Sequence, residues 1–256
     1  MLSKLEGRTI VITGAGSGIG FACAEGFIAD GATVYGADID TAGLEALEAI
    51  GAIGLETDVA RDADVRAMIS RAEHDTGRID VLFNNAGIAH GTRIEDLPDG
   101  EFEQMLAIHL FGPVYAMRAA LPIMRRNGYG RVINTISRGA EADRDAGYAA
   151  SKAALWAAGR VAARETRDTD ILVNSLIPGP TNTGIWGRDV AHLQPAAAVY
   201  SAVRMMATLP ASGPSGQALF WERAYPLFMN TLPQGVSGTS WWDERSRALF
   251  SKRPEA

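Results

Sequence analysis

Tyr148 and Lys152 stand four residues apart in Tyr148-Ala149-Ala150-Ser151-Lys152, at the head of a stretch with helical periodicity. Residues at that spacing share one helix face. A phenol with a pKa of about 10 is a poor proton shuttle at neutral pH. An ammonium beside it favours the phenolate, and a shift of about 3 units corresponds to about 4 kcal/mol. The pair alone describes many incidental surface neighbours equally well. Ser137 closes the run Asn134-Thr135-Ile136-Ser137, where a hydroxyl projects over the carboxyl edge of a sheet. Taken singly, Ser137 also reads as a helix cap or turn residue.

A second chemical feature lies near the N-terminus. Val11-Ile12-Thr13-Gly14-Ala15-Gly16-Ser17-Gly18-Ile19-Gly20 runs from an apolar strand into a helix. The common GxGxxG pattern fails, because its third glycine falls on Ile19 or Phe21, whereas TGxxxGxG matches through Thr13, Gly14, Gly18 and Gly20. Such glycines permit a tight turn, so that main-chain N–H groups around Ser17 and Ile19 and the helix N-terminus can hold a pyrophosphate. Asp38 ends the next apolar strand, 18 residues after Gly20. A carboxylate there accepts the hydroxyls of an adenosine ribose and repels a 2′-phosphate. No Lys or Arg lies in the glycine turn or directly after Asp38. This pattern favours NAD over NADP, against the bland alternative of a solvated strand-end aspartate.

These residues need a scaffold. Val/Ile/Leu-rich runs recur at Thr9–Thr13, Thr33–Ala37, Ile53–Glu56, Ile79–Asn84, Arg131–Ile136, Ile171–Leu176 and Gln217–Trp221. They are continuous rather than alternating, as expected of parallel strands covered on both faces. Helical periodicity fills Ile19–Asp30, Ala42–Ile50, Asp62–Thr76, Gly100–Arg126 and Gly147–Arg167. The alternation predicts an α/β fold: a single doubly wound Rossmann-type domain with a seven-stranded parallel sheet flanked by helices. One domain is expected over residues 1–256, without repeats or linkers. The stretch of about 180–215 is rich in Pro and Gly and reads as a substrate lid, and about 223–256 reads as a C-terminal extension carrying Trp241 and Trp242.

Composition narrows the function classes. With 47% apolar and 21% charged residues over 256 positions, the chain is neither disordered nor collagen-like. A net charge of −6 argues against broad nucleic-acid binding. Cys23 is the single cysteine, so no disulfide framework or multi-cysteine zinc site is expected. Met1–Arg8 lacks the apolar core of a secretory signal. The apolar stretch Met105–Met124 contains His109 and Arg118 and is not read as a membrane span. A cytoplasmic enzyme or small-molecule binder, with no metal, is the expectation.

Taken jointly, the Thr13–Gly20 turn, Asp58-Val59, Asn84-Asn85-Ala86-Gly87, Ser137, Tyr148–Lys152 and Pro178-Gly179 occur in an order and spacing that resembles the short-chain dehydrogenase/reductase family, from about Arg8 to about Trp221. The resemblance implies that Tyr148 is the general acid/base and that Lys152 lowers its pKa while holding the nicotinamide ribose. By the same resemblance Ser137 bonds the substrate oxygen, and Asp58 and Val59 meet the adenine. Asn85, Ala86 and Gly87 line the middle of the cofactor, while Pro178, Gly179 and Thr183 approach the nicotinamide amide. The implied reaction is hydride transfer between NAD(H) and a secondary alcohol or ketone.

Three positions depart from the family's pattern. His109 stands where the family has an Asn that supports a water-linked proton relay, and a neutral imidazole can replace that Asn or merely fill the core. Ser137 and Tyr148 are 11 residues apart, closer than usual, across a charged loop. The acidic-Gly-Gly ending is replaced by Trp221-Glu222-Arg223-Ala224. Arg138 can meet a substrate anion or pair with Asp143 or Asp145, and Trp186 can cover an apolar or sugar face. Alanines 149, 150, 153, 154, 157 and 158 suit close helix approach in a homo-oligomer, a tetramer by family resemblance. A non-redox lyase, epimerase or dehalogenase on this scaffold, and a nucleotide-sensing module without turnover, are the competing readings.

Overall fold

Strands form where Val, Ile and Leu run together, because helices cover both faces of the sheet. In a computed structural model, which describes residues 5–138, 145–220 and 223–225, the sheet strands are β1 (Thr9–Thr13), β2 (Thr33–Asp38), β3 (Ile53–Glu56), β4 (Val81–Asn84), β5 (Gly130–Thr135) and β6 (Ile171–Ile177). Every residue of β1, β4, β5 and β6 is buried. Between them lie α1 (Gly18–Ala29), α2 (Thr41–Ala49), α3 (Asp62–Thr76), α4 (Glu101–Leu106), α5 (Gly112–Asn127) and α6 (Ala146–Glu165). After β6 come a small two-stranded pair, β7 (Thr181–Asn182) and β8 (Gln194–Pro195), then α7 (Tyr200–Ala207), β9 (Ala218–Phe220) and β10 (Arg223–Ala224). The described residues belong to the compact unit Met1–Tyr225. The expected extension beyond 225, with Trp241 and Trp242, lies outside the described residues, as do the loop 139–144 with Asp143, and Trp221-Glu222.

The main sheet runs β10-β9-β6-β5-β4-β1-β2-β3. Its first seven strands in chain order are parallel to their neighbours, and β10 pairs antiparallel to β9 at the edge. The sheet therefore has eight strands rather than the expected seven. The chain moves outward from β1 to β2 and β3, then returns to lay β4 on the other side of β1. That reversal opens a crevice at the carboxyl ends of β1 and β4, where open α/β sheets hold their ligands.

Two helical expectations are corrected. The predicted single helix Gly100–Arg126 is interrupted by a π-helical turn, Ala107–Phe111, between α4 and α5. Pro113 has no N–H for the His109 carbonyl four residues back and crowds it, which accounts for the wider turn. By length and composition Glu101–Asn127 would also pass for a membrane-spanning helix. Its residues Met105, Ala116, Ala120, Ile123 and Met124 are buried inside the fold.

The second correction concerns the lid. Its latter part contains α7, which buries Ala202, Val203, Met206 and Ala207 in the core. Tyr200 packs edge-on against Phe27, with ring centroids 5.2 Å apart, and its hydroxyl donates to Asp30 at 2.7 Å. A Cβ at Gly26 would come within 2.5 Å of the Tyr200 ring, so glycine is required there for α1 and α7 to meet. The prolines that suggested an irregular segment border this helix instead of filling it.

At the opposite end of the sheet, Asp80 is 1% exposed and accepts from the Thr9 N–H, Arg8 and Arg78. Burial, the largest influence, raises its pKa, but the hydrogen bonds from Arg78, Thr9 and Arg8 together hold the carboxyl below its ordinary value. Asp80→Asn is expected to cost about 1.5–3 kcal/mol at pH 7, the range for hydrogen bonds to a charged group. The folded pKa is depressed, so this contribution is complete above the unfolded value of about 3.9 and is lost as pH falls through the folded value. Urea melts of both proteins at pH 7 and pH 3 should show the gap narrowing at the lower pH; an equal gap at both would contradict the assignment.

Candidate active site

The glycine turn is assembled by its contact with the loop after β4. A Cβ on Gly14 would lie 2.7 Å from the Ala86 Cα, and one on Gly20 would lie 2.0 Å from the Gly14 carbonyl oxygen. These two glycines serve close backbone packing. Asn85, expected to line the cofactor, has its side chain engaged elsewhere: its amide donates to the Thr13 and Gly14 carbonyls at 3.2 and 3.1 Å. The Asn85 and Ala86 N–H groups both donate to the Thr13 hydroxyl. Ser17 stands at the N-cap of α1 without a side-chain cap bond, and no acidic residue occupies the first turn. The N-terminal end of the α1 dipole is thus free of carboxylate compensation, which suits an anion such as a pyrophosphate.

At the lip of this turn, Asp38 accepts from the Gly16 N–H at 2.8 Å and from the Asp40 N–H at 3.1 Å. The Thr57 N–H donates to the Asp38 carbonyl at 2.9 Å, which brings Asp58 and Val59 alongside. Asp58 receives the Ala60 N–H, and Val59 is buried against Gly112. Across the crevice, Thr183 packs against Gly18, whose added Cβ would sit 3.1 Å from the Thr183 methyl. Gly179 has φ +77°, and Pro178 ahead of it gives its carbonyl to the Gln194 amide at 2.5 Å. The glycine turn therefore lies beside Asp38 on one side and Thr183 on the other. The turn, the uncapped helix start and Asp38 fit a dinucleotide.

The chemical groups lie over the ends of β5 and α6. Ser137 and Tyr148 share a side-chain hydrogen bond. Lys152 is 3% exposed, and its Nζ donates to the Thr135 carbonyl at 2.9 Å, 5.6 Å from the Tyr148 ring centroid. Burial lowers the Lys152 pKa to about 7. Burial also pushes the Tyr148 phenol above its ordinary value, against the lowering effect of the Ser137 bond and together with the Asp145 carboxylate, which raises it. Desolvation, which penalises both charged forms, dominates.

His109 is fully buried in the π turn, with its ring edge-on to Tyr148 at 5.3 Å between centroids. The Ile88 N–H donates to Nε2 at 2.9 Å, and Nδ1 lies 2.9 Å from the Ser151 hydroxyl. That hydroxyl donates its own proton to the Tyr148 carbonyl. The network therefore assigns the hydrogen to Nδ1, which donates to Ser151. Burial first, and the Lys152 charge second, lower the His109 pKa to about 2, leaving a neutral ring. Both ring nitrogens of His109 are therefore bonded to protein groups in this structure. Gly87 faces this ring and Lys152, since an added Cβ would lie 3.1 Å from Nε2 and 3.7 Å from Nζ.

Arg138 is exposed, with its guanidinium carbon 5.7 Å above the Phe220 ring, and no ion pair joins it to Asp145 among the described residues. Trp186 is 51% exposed, and its indole N–H is spent on the Thr181 carbonyl at 2.7 Å. Asp145 and Ser151, absent from the sequence-based site, are part of its frame. The signal for Asp145 was an N-cap aspartate three residues before Tyr148, in a loop read only as charged.

Residues 8–194 match the family described as short chain dehydrogenase. Over 187 residues the chain is 35% identical to D-beta-hydroxybutyrate dehydrogenase of Cupriavidus necator, spanning 68% of this chain and 71% of that protein. An uncharacterized oxidoreductase of Thermotoga maritima is 35% identical over 201 residues, 75% of this chain and 79% of its own. Among solved structures, 3-ketoacyl-(acyl-carrier-protein) reductase from Brucella melitensis, complexed with NADH, superposes with a TM-score of 0.79 at 29% identity, over 84% of this chain and 97% of that one. Levodione reductase also superposes with a TM-score of 0.79, at 28% identity, over 84% and 96% of the two chains. The crevice at the β1–β4 reversal and the Ser137–Tyr148–Lys152 cluster thus sit in a chain that belongs to the short-chain dehydrogenase/reductase family of oxidoreductases.

Proposed function

We propose that this protein transfers hydride between NAD(H) and a secondary alcohol or its ketone, with Tyr148 as the general acid/base. The observation that carries the reading is the Ser137–Tyr148 hydrogen bond held over the sheet edge beside Lys152. When bound, the nicotinamide supplies or accepts the hydride. Ser137 orients the substrate oxygen toward Tyr148, whose hydroxyl gives a proton to the forming alkoxide in reduction and takes one in oxidation. Burial holds the phenol in its protonated form at neutral pH, the form that gives a proton in reduction. Lys152 is buried beside Gly87, where an added Cβ would lie 3.7 Å from Nζ. Arg138 and Trp186 are proposed substrate contacts, on the strength of their exposure beside Ser137 and in the lid.

Tyr148→Phe should lower turnover by at least about 100-fold, within the range for general acid–base catalysis. In the unmodified enzyme, alcohol oxidation should climb with pH as the phenol ionises, while ketone reduction declines. Initial rates read by NADH absorbance from neutral to alkaline pH check both; an active Phe variant would shift the mechanism to another group.

The proposal of NAD over NADP rests on the Asp38 carboxylate fixed at the end of β2 by the Gly16 N–H. Ile39 beside it is 68% exposed, leaving room for a cation. Asp38→Ser with Ile39→Arg should move preference toward NADPH in paired KM measurements. Tighter binding of NADPH than NADH by the unmodified protein would refute the ribose argument.

A homo-oligomer is also proposed. Phe111, 45% exposed and stacked on Tyr115, and Val161, 53% exposed on α6, leave apolar surface on neighbouring helices beside the half-buried alanines of α6. Symmetric assembly would cover it. Light scattering at micromolar concentration should report a tetramer, and a monomer would overturn this.

A further inference from the structure

Asp145 is the one non-glycine residue with a left-handed backbone among the described residues, at φ 64° and ψ 81°. That conformation is disfavoured for a residue with a Cβ and persists where the surroundings demand it. The side chain shows the demand. It is 7% exposed, and its two oxygens accept three main-chain donors. Oδ1 takes the Tyr148 N–H at 3.0 Å, capping α6. Oδ2 takes the His90 and Gly91 N–H groups at 3.2 and 2.9 Å. One carboxylate therefore joins the helix that presents the phenol to the loop that follows β4.

The same two segments are joined a second time on the other side of Tyr148. Its carbonyl accepts from Ser151, Ser151 accepts from His109, and His109 accepts from the Ile88 N–H. The Tyr148 N–H is thus held by a side chain that also grips His90 and Gly91, and its carbonyl by Ser151, which His109 links to Ile88. That segment continues directly from Asn85-Ala86-Gly87, which packs on the glycine turn. The result is a closed ring of protein hydrogen bonds between the phenol's backbone and the loop bordering the dinucleotide groove.

We infer that Asp145 is a positioning residue, holding Tyr148 in register with the loop that borders the cofactor groove. The inference rests on the reading of Tyr148 as the acid/base. Aspartate suits the task because a short stem carries two acceptor edges, facing donors on opposite sides. An asparagine keeps the left-handed backbone accessible but offers one acceptor edge, so it can serve the helix or the loop. A glycine accepts the backbone conformation without strain and serves neither.

The test compares Asp145→Gly and Asp145→Asn with the unmodified protein, each well below its melting temperature. Asp145→Gly should lower kcat by about 10–100-fold, the scale set by small misplacements of reacting groups, with a smaller change in ketone KM. Asp145→Asn should fall between it and the unmodified enzyme. Amide hydrogen exchange without substrate should show the His90, Gly91 and Tyr148 amides losing protection together in Asp145→Gly. An unchanged kcat in that variant, or loss of protection confined to one of the two segments, would overturn the inference. If the unmodified protein turns over no alcohol or ketone with either nicotinamide dinucleotide, the proposed function falls, and the exchange measurement still decides whether the clamp exists.

Discussion

The approach of two backbones at the carboxyl ends of β1 and β4 is the constraint on which the rest depends. Gly14 meets Ala86 with no room for a Cβ, and Thr13 and Asn85 exchange side-chain and main-chain hydrogen bonds across the seam. Reversal of strand order makes these neighbours in space, although 72 positions separate Thr13 from Asn85. From that seam the glycine turn faces one way, with Asp38 at its lip, and the Ile88–Gly91 loop runs the other way to Asp145 and His109. The glycine turn and the Ser137–Tyr148–Lys152 cluster share this one wall.

Burial governs the chemistry built on that wall. Lys152, His109 and Tyr148 all have pKa values moved first by loss of water, each toward its neutral form. A neutral His109 can use one nitrogen as donor and the other as acceptor, which the Ile88 and Ser151 partners require. A protonated ring would turn the Ile88 contact into two donors facing each other. Burial and the Lys152 charge thus keep the ring in the neutral form that these partners require, and the π turn that seats the imidazole traces to Pro113.

Much of this was legible from residue types and order. Continuous apolar runs identified the seven strands that form the parallel sheet, because strands covered on both faces cannot alternate with polar residues. The glycine turn was recognisable because tight backbone approach tolerates little else. The edge strand β10 has two residues, too few for any periodicity to register. Helix α7 was hidden by the prolines around it, since its stability comes from packing Tyr200, Val203 and Met206 on α1 and the sheet, not from strong local signals. Boundaries elsewhere moved by a residue or two.

The sequence by itself determined the fold class, the glycine turn, the carboxylate at the second strand and the Ser137, Tyr148 and Lys152 set. Each follows from local physics: periodicity, glycine's freedom and the spacing of one helical turn. Only the tertiary structure decided what His109, Asn85 and Asp145 do. The Asn85 side chain holds the Thr13 and Gly14 carbonyls; Asp145 looked like one charge among several and proved to accept three main-chain donors from two segments. Which hydrogen-bond partners a polar side chain meets depends on segments distant in sequence. Which way its pKa moves depends on how much water those segments exclude, and neither is written in local spacing.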